Sequence, residues 1–398
     1  MTFKIIDEID TGTSPTLIKV IGVGGGGGNA VDRMIAAGLK GVQFIAVNTD
    51  LQDLQKSGAN ERIQLGAKLT GGLGAGGIPE VGENAALEDK AQIQEFIKGA
   101  DMVFITAGMG GGTGTGAAPI IARTAKELGI LTVAVVTKPF TFEGKKRMKF
   151  AEDGIAKLRE GVDTLITIPN QHIFKVVDPK IPIREAFLVA NDVLCQGVQG
   201  ISDIITRTGD ISIDFADVKT VMREQGDALM GIGVGHGENR ACDAASNAIT
   251  NQLLEFASIE GAKGLLVNVV GGNDFSLNDY QEIMNIITKH TSEDATIISG
   301  YFMDESLDDE IRVTVIATGA QKGGDDPCAD TPSPVSQPQT ASADEYIPLH
   351  VWEKKMGNRR ACRTGEIYTG SDLFAAGDLD IPAIRRIGQN LPGTQMEK

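Results

Sequence analysis

The sequence predicts an α/β protein with a mostly parallel sheet, a long central helix, a second α/β unit and a disordered C-terminal tail. Three observations predict this fold class. Short β-branched runs alternate with longer amphipathic runs from Leu17 to Thr318, as in βα units. Apolar residues recur at steps of three and four after Ile181, and the composition changes abruptly near Ala320.

The first unit contains five predicted strands, which helical runs separate. One helix is predicted to begin at Pro119, because proline suits a first helical turn, and to end at Gly129. The strands cover Leu17 to Val23, Val42 to Asn48, Met102 to Thr106, Leu131 to Thr137 and Thr164 to Ile168.

The central helix and the second unit follow. Phe187, Leu194 and Ile205 belong to the apolar series that predicts the helix. Three more strands are predicted at Leu265 to Val270, Thr296 to Tyr301 and Ile311 to Ala317, with helices at Asn239 to Leu254 and Leu277 to Lys289.

Length and charge limit the possible functions. A chain of 398 residues exceeds what one core normally organises, and its net charge of -16 would repel nucleic acid and an anionic membrane. No apolar stretch approaches the ~18 residues that span a bilayer, so we expect a cytoplasmic protein without direct membrane insertion. The four cysteines and four histidines are scattered, which argues against a disulfide scaffold and a zinc site. The sequence therefore indicates no side chain as a direct metal ligand.

The first glycine cluster, Gly24 to Gly28, lies between a predicted strand and a predicted helix. Its backbone N–H groups can approach an anion closely, at the positive end of the helix dipole. The stretch from Gly22 to Gly27 also fits GxGxxG, and Asp50 follows the next strand, as in dinucleotide-binding folds. This loop alone leaves dinucleotide binding, mononucleotide binding and a purely structural turn open.

A second cluster, Gly108 to Gly116, again follows a strand and precedes a helix, so both loops are expected at the same edge of the sheet. Two anion loops that share one ligand favour a polyphosphate, to which the hydroxyls of Thr113 and Thr115 add donors. A third glycine-rich stretch, Gly71 to Gly77, is either a nest for the terminal phosphate or a flexible surface loop.

Base recognition must come from other residues, since the chain has neither a GxxxxGK[ST] pattern nor an [NT]KxD tetrapeptide. A ring that stacks on a base and an amide that pairs with it are the groups required. The candidates are Glu143, Arg147, Asn170, Phe187 and Asn191, and for each of them ordinary packing or a solvated charge is the simpler alternative.

Asp214 and Asp217 precede and open a further helical run, three residues apart and on one helical face. Capping of the helix N-terminus is the simpler interpretation. The alternative is that both carboxylates polarise a water molecule or help to hold a cation.

Seven of the 14 prolines lie after residue 320, in a segment that we predict to be disordered. Its end combines apolar anchors with flanking charge, as a docking peptide does. The anchors are Leu379, Ile381, Pro382 and Ile384, followed by Arg385 and Arg386. A wholly structureless tail is the alternative.

Taken together, the motifs resemble the FtsZ family, the bacterial tubulin homologues. The matching strings are IGVGGGGGNAV, GLGAGG, ITAGMGGGTGTGAAP, VVTKPFTFEGKKR, IPNQHIFKVVD, DFADVKTVM and GENRA, and LDIPAIRR resembles the family's docking peptide. The resemblance implies a tubulin/FtsZ-like, Rossmann-type GTP-binding domain over residues 16–180, a central helix over 181–208 and an α/β domain with the catalytic loop over 209–319. An N-terminal tail (1–15), a disordered linker (320–377) and a docking peptide with its extension (378–398) complete the expected organisation.

The resemblance also implies the function. We expect a GTPase that polymerises into filaments of the bacterial division ring and hydrolyses GTP to GDP between adjacent subunits, with Mg²⁺ on the triphosphate. Its filaments are expected to bind membrane-tethering and other division proteins through the docking peptide.

Individual roles carry over by position. The phosphates are expected on Gly25, Gly26, Gly27, Gly28, Asn29, Gly112, Thr113, Gly114 and Thr115, with Gly74, Ala75, Gly76 and Gly77 around the terminal one. Glu143 and Arg147 match residues near the ribose and phosphates, Phe187 the residue under guanine, and Asn191 the base-reading position. Asp214 and Asp217 match acids that activate water from the adjoining subunit.

The predicted catalytic loop departs from the family pattern. Ser212 stands where asparagine is usual, Thr208 where proline is common and Asp210 where an apolar residue is usual. Because a serine hydroxyl reaches less far than an amide, we hypothesise that Ser212 slows hydrolysis and leaves assembly intact. In the third loop, Gly71 replaces a frequent arginine and Ile78 a frequent asparagine.

Two other functions are compatible with the motifs. An NAD-dependent oxidoreductase would rest on GxGxxG and Asp50. A nucleotide-gated interaction module without useful catalysis would rest on the altered loop around Ser212.

Overall fold

The computed structural model describes residues 16–175, 181–206, 211, 213–250, 261–292, 294–304, 307 and 309–319. The strands are β1 (Ile18–Val23), β2 (Val42–Asn48), β3 (Glu61–Gln64), β4 (Met102–Gly108), β5 (Leu131–Lys138), β6 (Thr164–Pro169), β7 (Gly226–His236), β8 (Gly264–Gly271), β9 (Thr296–Met303) and β10 (Glu310–Thr318). The helices are α1 (Gly24–Ala36), α2 (Leu51–Lys56), α3 (Ala67–Thr70), α4 (Pro79–Glu88), α5 (Lys90–Ile97), α6 (Thr113–Glu127), α7 (Lys145–Gly161), α8 (Ile183–Thr206), α9 (Phe215–Met222), α10 (Arg240–Ile249) and α11 (Leu277–Thr288).

The strands form one sheet in the order β3-β2-β1-β4-β5-β6-β7-β10-β8-β9. Neighbouring strands are parallel except for the two pairs that β10 makes with β7 and β8. The strand order reverses at β1, because β2 is added on one side of it and β4 on the other. In an open α/β sheet such a switch point opens a crevice outside the carboxyl ends of the strands, here after Val23 and Gly108.

Helices cover both faces of the parallel part of the sheet. On one face, Val20 and Phe104 pack with α1 and α8, and on the other, Ile21 and Ile105 pack with α6 and α7. Burial on both faces explains why these strands are continuous apolar runs rather than alternating ones. The α/β class predicted from the sequence is confirmed.

Strand β7 was not predicted, because its repeated glycines have low strand propensity. Gly231, Gly233 and Gly235 all point at α10. A Cβ atom at these positions would lie 1.9, 1.9 and 2.0 Å from the carbonyl oxygens of Ala248, Ala244 and Arg240. The missing side chains therefore allow α10 to lie directly on β7.

All eight predicted strands are present, each within two residues at either end, and the central helix is α8. The predicted start of a helix at Pro119 was wrong, since α6 begins six residues earlier at Thr113 and contains this proline. A Cβ atom at Gly116 would lie 2.0 Å from the carbonyl oxygen of Pro79, so the first half of α6 packs directly on α4. This packing outweighs the intrinsic cost of an interior proline.

Several predictions fall outside the described residues. They include Ser212, the linker, the docking peptide and the predicted end of a helix at Leu254. The predicted domain boundaries stay a prediction. None of the helices that the structure describes is both long enough and apolar enough to cross a bilayer.

Candidate functional site

Three glycine-rich segments meet at the carboxyl ends of β1 and β4. Gly24 has a φ of +70° that suits glycine, and a Cβ atom there would lie 2.9 Å from the backbone nitrogen of Gly114. A Cβ atom at Gly112 would lie 2.8 Å from the Cβ of Ala75. The first loop therefore touches the second, and the second touches the third.

The N-termini of two helices, neither of them capped, lie where these glycine-rich segments meet. Helix α1 begins at Gly24 and helix α6 at Thr113, and no side chain caps either one. Neither first turn contains an acidic residue. Free backbone N–H groups and the positive ends of two helix dipoles make this a site suited to an anion.

The two threonines of the second loop have different surroundings. Thr115 is 3% exposed, and its Oγ1 accepts a hydrogen bond from the backbone N–H of Gly110 at 2.8 Å. Thr115 therefore shapes the loop from within. The hydroxyl of Thr113 lies 2.7 Å from that of Thr49, whose carbonyl oxygen accepts the N–H of Gly74 at 3.2 Å.

Sequence reasoning did not single out Thr49. The available signal was its position directly after β2, at the edge of the sheet where ligands bind. Because it contacts Thr113 and Gly74, it joins the second loop to the third.

The carboxylate of Asp50 is used within the fold. Its Oδ1 accepts the N–H groups of Gln52 at 2.9 Å and Asp53 at 3.2 Å, and so caps α2. The oxidoreductase hypothesis required this carboxylate to bind a ribose. Because the cap already uses one carboxylate oxygen, Asp50 has a structural role that explains its position without a dinucleotide.

Glu143 and Arg147 form an ion pair beside the second loop. Arg147 Nη1 lies 2.7 Å from Glu143 Oε2, and Glu143 Oε1 accepts the N–H of Phe140 at 2.9 Å. A Cβ atom at Gly110 would lie 2.8 Å from the carbonyl oxygen of Arg147. The arginine side chain is exposed, so it is available to a ligand.

A cleft of about 450 Å³ opens between α1 and α8. It is lined by Asn29, Asp32, Arg33, Ala36, Arg184, Phe187, Leu188 and Asn191. Three predicted site residues, Asn29, Phe187 and Asn191, thus share one cleft, and the sequence did not indicate Arg184. The hydrogen bond from Arg33 to Asp192 joins the two helices and raises the pKa of the arginine above its ordinary value.

Asn170 follows β6 and is 5% exposed. Its Oδ1 has no hydrogen-bond partner among the described residues. A buried amide oxygen without a partner is costly in a folded protein, so it is a candidate contact for a ligand.

Asp214 and Asp217 are both exposed and lie at the start of α9. Asp214 occupies the N-cap position, but its side chain makes no cap hydrogen bond. The capping interpretation therefore does not account for this carboxylate.

The last residue of helix α9 lies at the edge of the sheet opposite the glycine loops. The carbonyl oxygen of Met222 accepts a hydrogen bond from Thr164, the first residue of β6. The loops follow the opposite, carboxyl ends of the parallel strands, and a six-residue strand is about 20 Å long. Among the described residues, no hydrogen bond or ion pair joins Asp214 or Asp217 to the loops of its own chain.

The described part of the chain contains no group of three or more His, Cys, Asp or Glu side chains that could enclose a metal ion.

Comparison with known proteins assigns the family. The Tubulin/FtsZ family GTPase-domain model matches residues 17–178, and the FtsZ family C-terminal-domain model matches residues 226–321. The cell division protein FtsZ of Pseudomonas aeruginosa is 55% identical over 317 residues, which are 80% of this chain and 80% of that protein. The corresponding protein of Wigglesworthia glossinidia brevipalpis is 54% identical over 307 residues, 77% of this chain and 80% of that protein.

The solved structures agree. An empty FtsZ dimer of M. jannaschii matches with a TM-score of 0.74 at 45% identity, over 77% of this chain and 89% of that one. The fold, the glycine loops and these similarities lead to one assignment: the chain belongs to the FtsZ family of tubulin-related proteins.

Proposed function

We propose that this chain is a GTP-dependent, self-assembling GTPase of bacterial cell division, which hydrolyses GTP between adjacent subunits of a filament. The proposal rests on the separation of two elements: the glycine loops follow the carboxyl ends of β1 and β4, whereas α9, which begins with the exposed acids, ends at Met222 beside the first residue of β6. Each chain then holds two halves of different active sites. Stacking one chain on the next completes a site at every interface.

The nucleotide is proposed to lie across the switch point of the sheet. Its phosphates contact the N-termini of α1 and α6, through Gly25 to Asn29 and Gly112 to Thr115, and the terminal phosphate contacts Gly74 to Gly77. Glu143 and Arg147 lie near the ribose and phosphates. The guanine enters the cleft, where Phe187 stacks on it and Asn191, with Asn170, pairs with its edge.

Magnesium is proposed as the metal of the bound triphosphate. The described residues offer no carboxylate cluster for it, and Mg²⁺ commonly binds substrate phosphates with few protein ligands. When bound, it supplies charge neutralisation on the β- and γ-phosphates.

The acids act across the interface. Asp214 and Asp217 of one subunit orient a water molecule beside the terminal phosphate of the next and accept its proton as its oxygen attacks phosphorus. GDP is the leaving group. The backbone N–H groups of the two helix N-termini stabilise the charge that develops on the phosphates.

Ser212 belongs to the same loop and lies outside the described residues. Serine in place of the usual asparagine is proposed to slow this step while assembly is retained. In the limiting case the chain is a GTP-gated polymer with negligible hydrolysis, which is the second candidate function.

The filaments are proposed to lie in the cytoplasm at the mid-cell division site. A partner with its own membrane anchor would bind the docking peptide, since the net charge of -16 opposes direct contact with an anionic membrane. Deleting residues 378–398 should abolish recruitment to the membrane and leave polymerisation intact. If the deletion abolished polymerisation as well as recruitment, the proposal that the docking peptide serves only in recruitment would be refuted.

The test of the main proposal records phosphate release and light scattering together, with GTP and magnesium, over a range of protein concentrations. Hydrolysis between subunits predicts that both signals begin at the same threshold concentration. The double variant Asp214→Asn/Asp217→Asn should still assemble and scatter light, but it should not release phosphate. Phosphate release proportional to protein concentration, without a threshold, would place the whole active site in one chain. Scattering by the wild type without phosphate release would favour the second candidate.

A further inference from the structure

Phe140 is the centre of a small apolar cluster beside the cleft. It lies between β5 and α7, is 0% exposed, and packs with Ile173, Ala186 and Ala190. This cluster is separate from the cores that hold the sheet to its helices. Its location next to α8 connects it with the proposed base subsite rather than with the sheet.

Three other phenylalanine rings contact the ring of Phe140. Phe142 stacks on it at a centroid distance of 4.9 Å, and Phe174 meets it at 5.5 Å and 69°. Phe187 meets it edge to face, at 5.2 Å and 87°. Phe187 lines the cleft and is 38% exposed, so on its open side it has no packing that would fix its rotamer.

An aromatic ring on a helix surface has several accessible rotamers, and ordering it on ligand binding costs free energy. A perpendicular contact with a fully buried ring restricts that freedom before the ligand arrives. Phe140 is itself held by its backbone N–H, which donates to Glu143 Oε1. The ring that Phe187 contacts is therefore fully buried, and its backbone is held in place.

We propose that Phe140 is a positioning residue for the nucleotide base: its buried ring holds Phe187 in the orientation that stacks on guanine. This inference rests on the proposed nucleotide site. It makes two specific claims, that Phe140 acts on the base and not on the phosphates, and that it acts through Phe187.

The experiment measures the dissociation constants of GDP and of inorganic pyrophosphate by calorimetry for five proteins. They are the wild type, Phe140→Leu, Phe187→Leu, the double variant, and Phe302→Leu. Phe302 is equally buried but lies on β9, so it controls for a general loss of core packing. Phe140→Met, whose unbranched side chain adapts better to the shape of the site, replaces the leucine variant if that variant does not fold.

Loss of one aromatic pair predicts about 3- to 10-fold weaker GDP binding for Phe140→Leu, with pyrophosphate binding unchanged. The double variant should bind GDP no more weakly than Phe187→Leu alone, because the two residues act in series. Phe302→Leu should bind GDP as the wild type does.

Unchanged GDP binding in Phe140→Leu would overturn the inference, and so would effects that multiply in the double variant. Equal weakening of GDP and pyrophosphate would assign Phe140 a general structural role instead. A wild type that binds pyrophosphate but not GDP would refute the proposed function itself.

Discussion

The side-chain hydroxyls of Thr49 and Thr113 lie 2.7 Å apart, within hydrogen-bonding distance. Thr49 is fully buried behind the second glycine loop, and its carbonyl oxygen accepts the N–H of Gly74 in the third loop. The two loops that would surround the terminal phosphate are therefore linked through one residue. We therefore expect the position of the third loop to affect the start of α6.

Thr49→Val keeps the shape of the side chain and removes this hydroxyl contact. Since a hydrogen bond contributes about 0.5–1.5 kcal/mol, we expect GTP binding to weaken by about 2- to 10-fold. GDP, which lacks the terminal phosphate, should be affected less. Calorimetric titration with both nucleotides measures the difference, and Thr49→Ser, which retains the hydroxyl, should resemble the wild type. A loss in Thr49→Ser with Thr49→Val unchanged would mean that methyl packing matters here and the hydroxyl does not.

Neighbouring glycines of the second loop offer a matched pair. Gly112→Ala would bring a Cβ atom to 2.8 Å from the Cβ of Ala75 and push the third loop away. At Gly111 an added Cβ atom meets nothing within 4 Å. We therefore expect at least about 10-fold weaker GTP binding for Gly112→Ala, as for a misplaced binding group, and little change for Gly111→Ala. Similar affinities for the two variants would show that contact between the loops is not needed for binding.

The parts of the fold that follow from local pattern could be predicted from the sequence. Strands such as Val42–Asn48 are β-branched runs buried on both faces, and both glycine clusters directly follow strands, which puts them at one edge of the sheet. Topology alone then brings the loops together.

What could not be predicted depends on close tertiary contacts. Strand β7 contains glycines because α10 packs directly against it, and α6 tolerates Pro119 because α4 holds its first half. The contact of Thr49 with Thr113 joins residues 64 positions apart and has no local signal. Asp50 has the position of a ribose ligand, but its hydrogen bonds to Gln52 and Asp53 show that it caps a helix.

Cys195 should be unreactive in the folded chain. The thiol is 4% exposed on α8, and burial, followed by the charge of Asp192, raises its pKa from 9.0 to about 11. Two pKa units leave about 100-fold less thiolate below pH 9 than an ordinary thiol has. At pH 8 we expect iodoacetamide to label Cys195 at least about 10-fold more slowly than the half-buried Cys242, as measured by mass spectrometry of the digest.

The same pKa shift makes stability depend on pH. The unfolded chain loses this proton at a lower pH than the native chain does, so the contribution is fully present below about pH 9 and is lost as the pH rises towards 11. The free energy of unfolding of Cys195→Ala should fall less over that interval. Parallel curves for variant and wild type would contradict the shift.

We expect Asp217 to act in hydrolysis and not in binding, because among the described residues no hydrogen bond or ion pair joins it to the glycine loops of its own chain. Asp217→Asn keeps the size of the side chain and removes its charge, so it cannot accept a proton from water. We expect turnover in the assembled state to fall by about 100-fold or more, as for loss of a general base, while GTP binding by the monomer stays unchanged.

Asp243→Asn, which removes an exposed carboxylate in the first turn of α10, is the matched control and should leave turnover as it is. Phosphate release above the assembly threshold and calorimetry below it measure the two quantities separately. If Asp217→Asn instead weakened GTP binding by the monomer, the carboxylate would have to reach the nucleotide of its own chain, and the interface mechanism would be wrong.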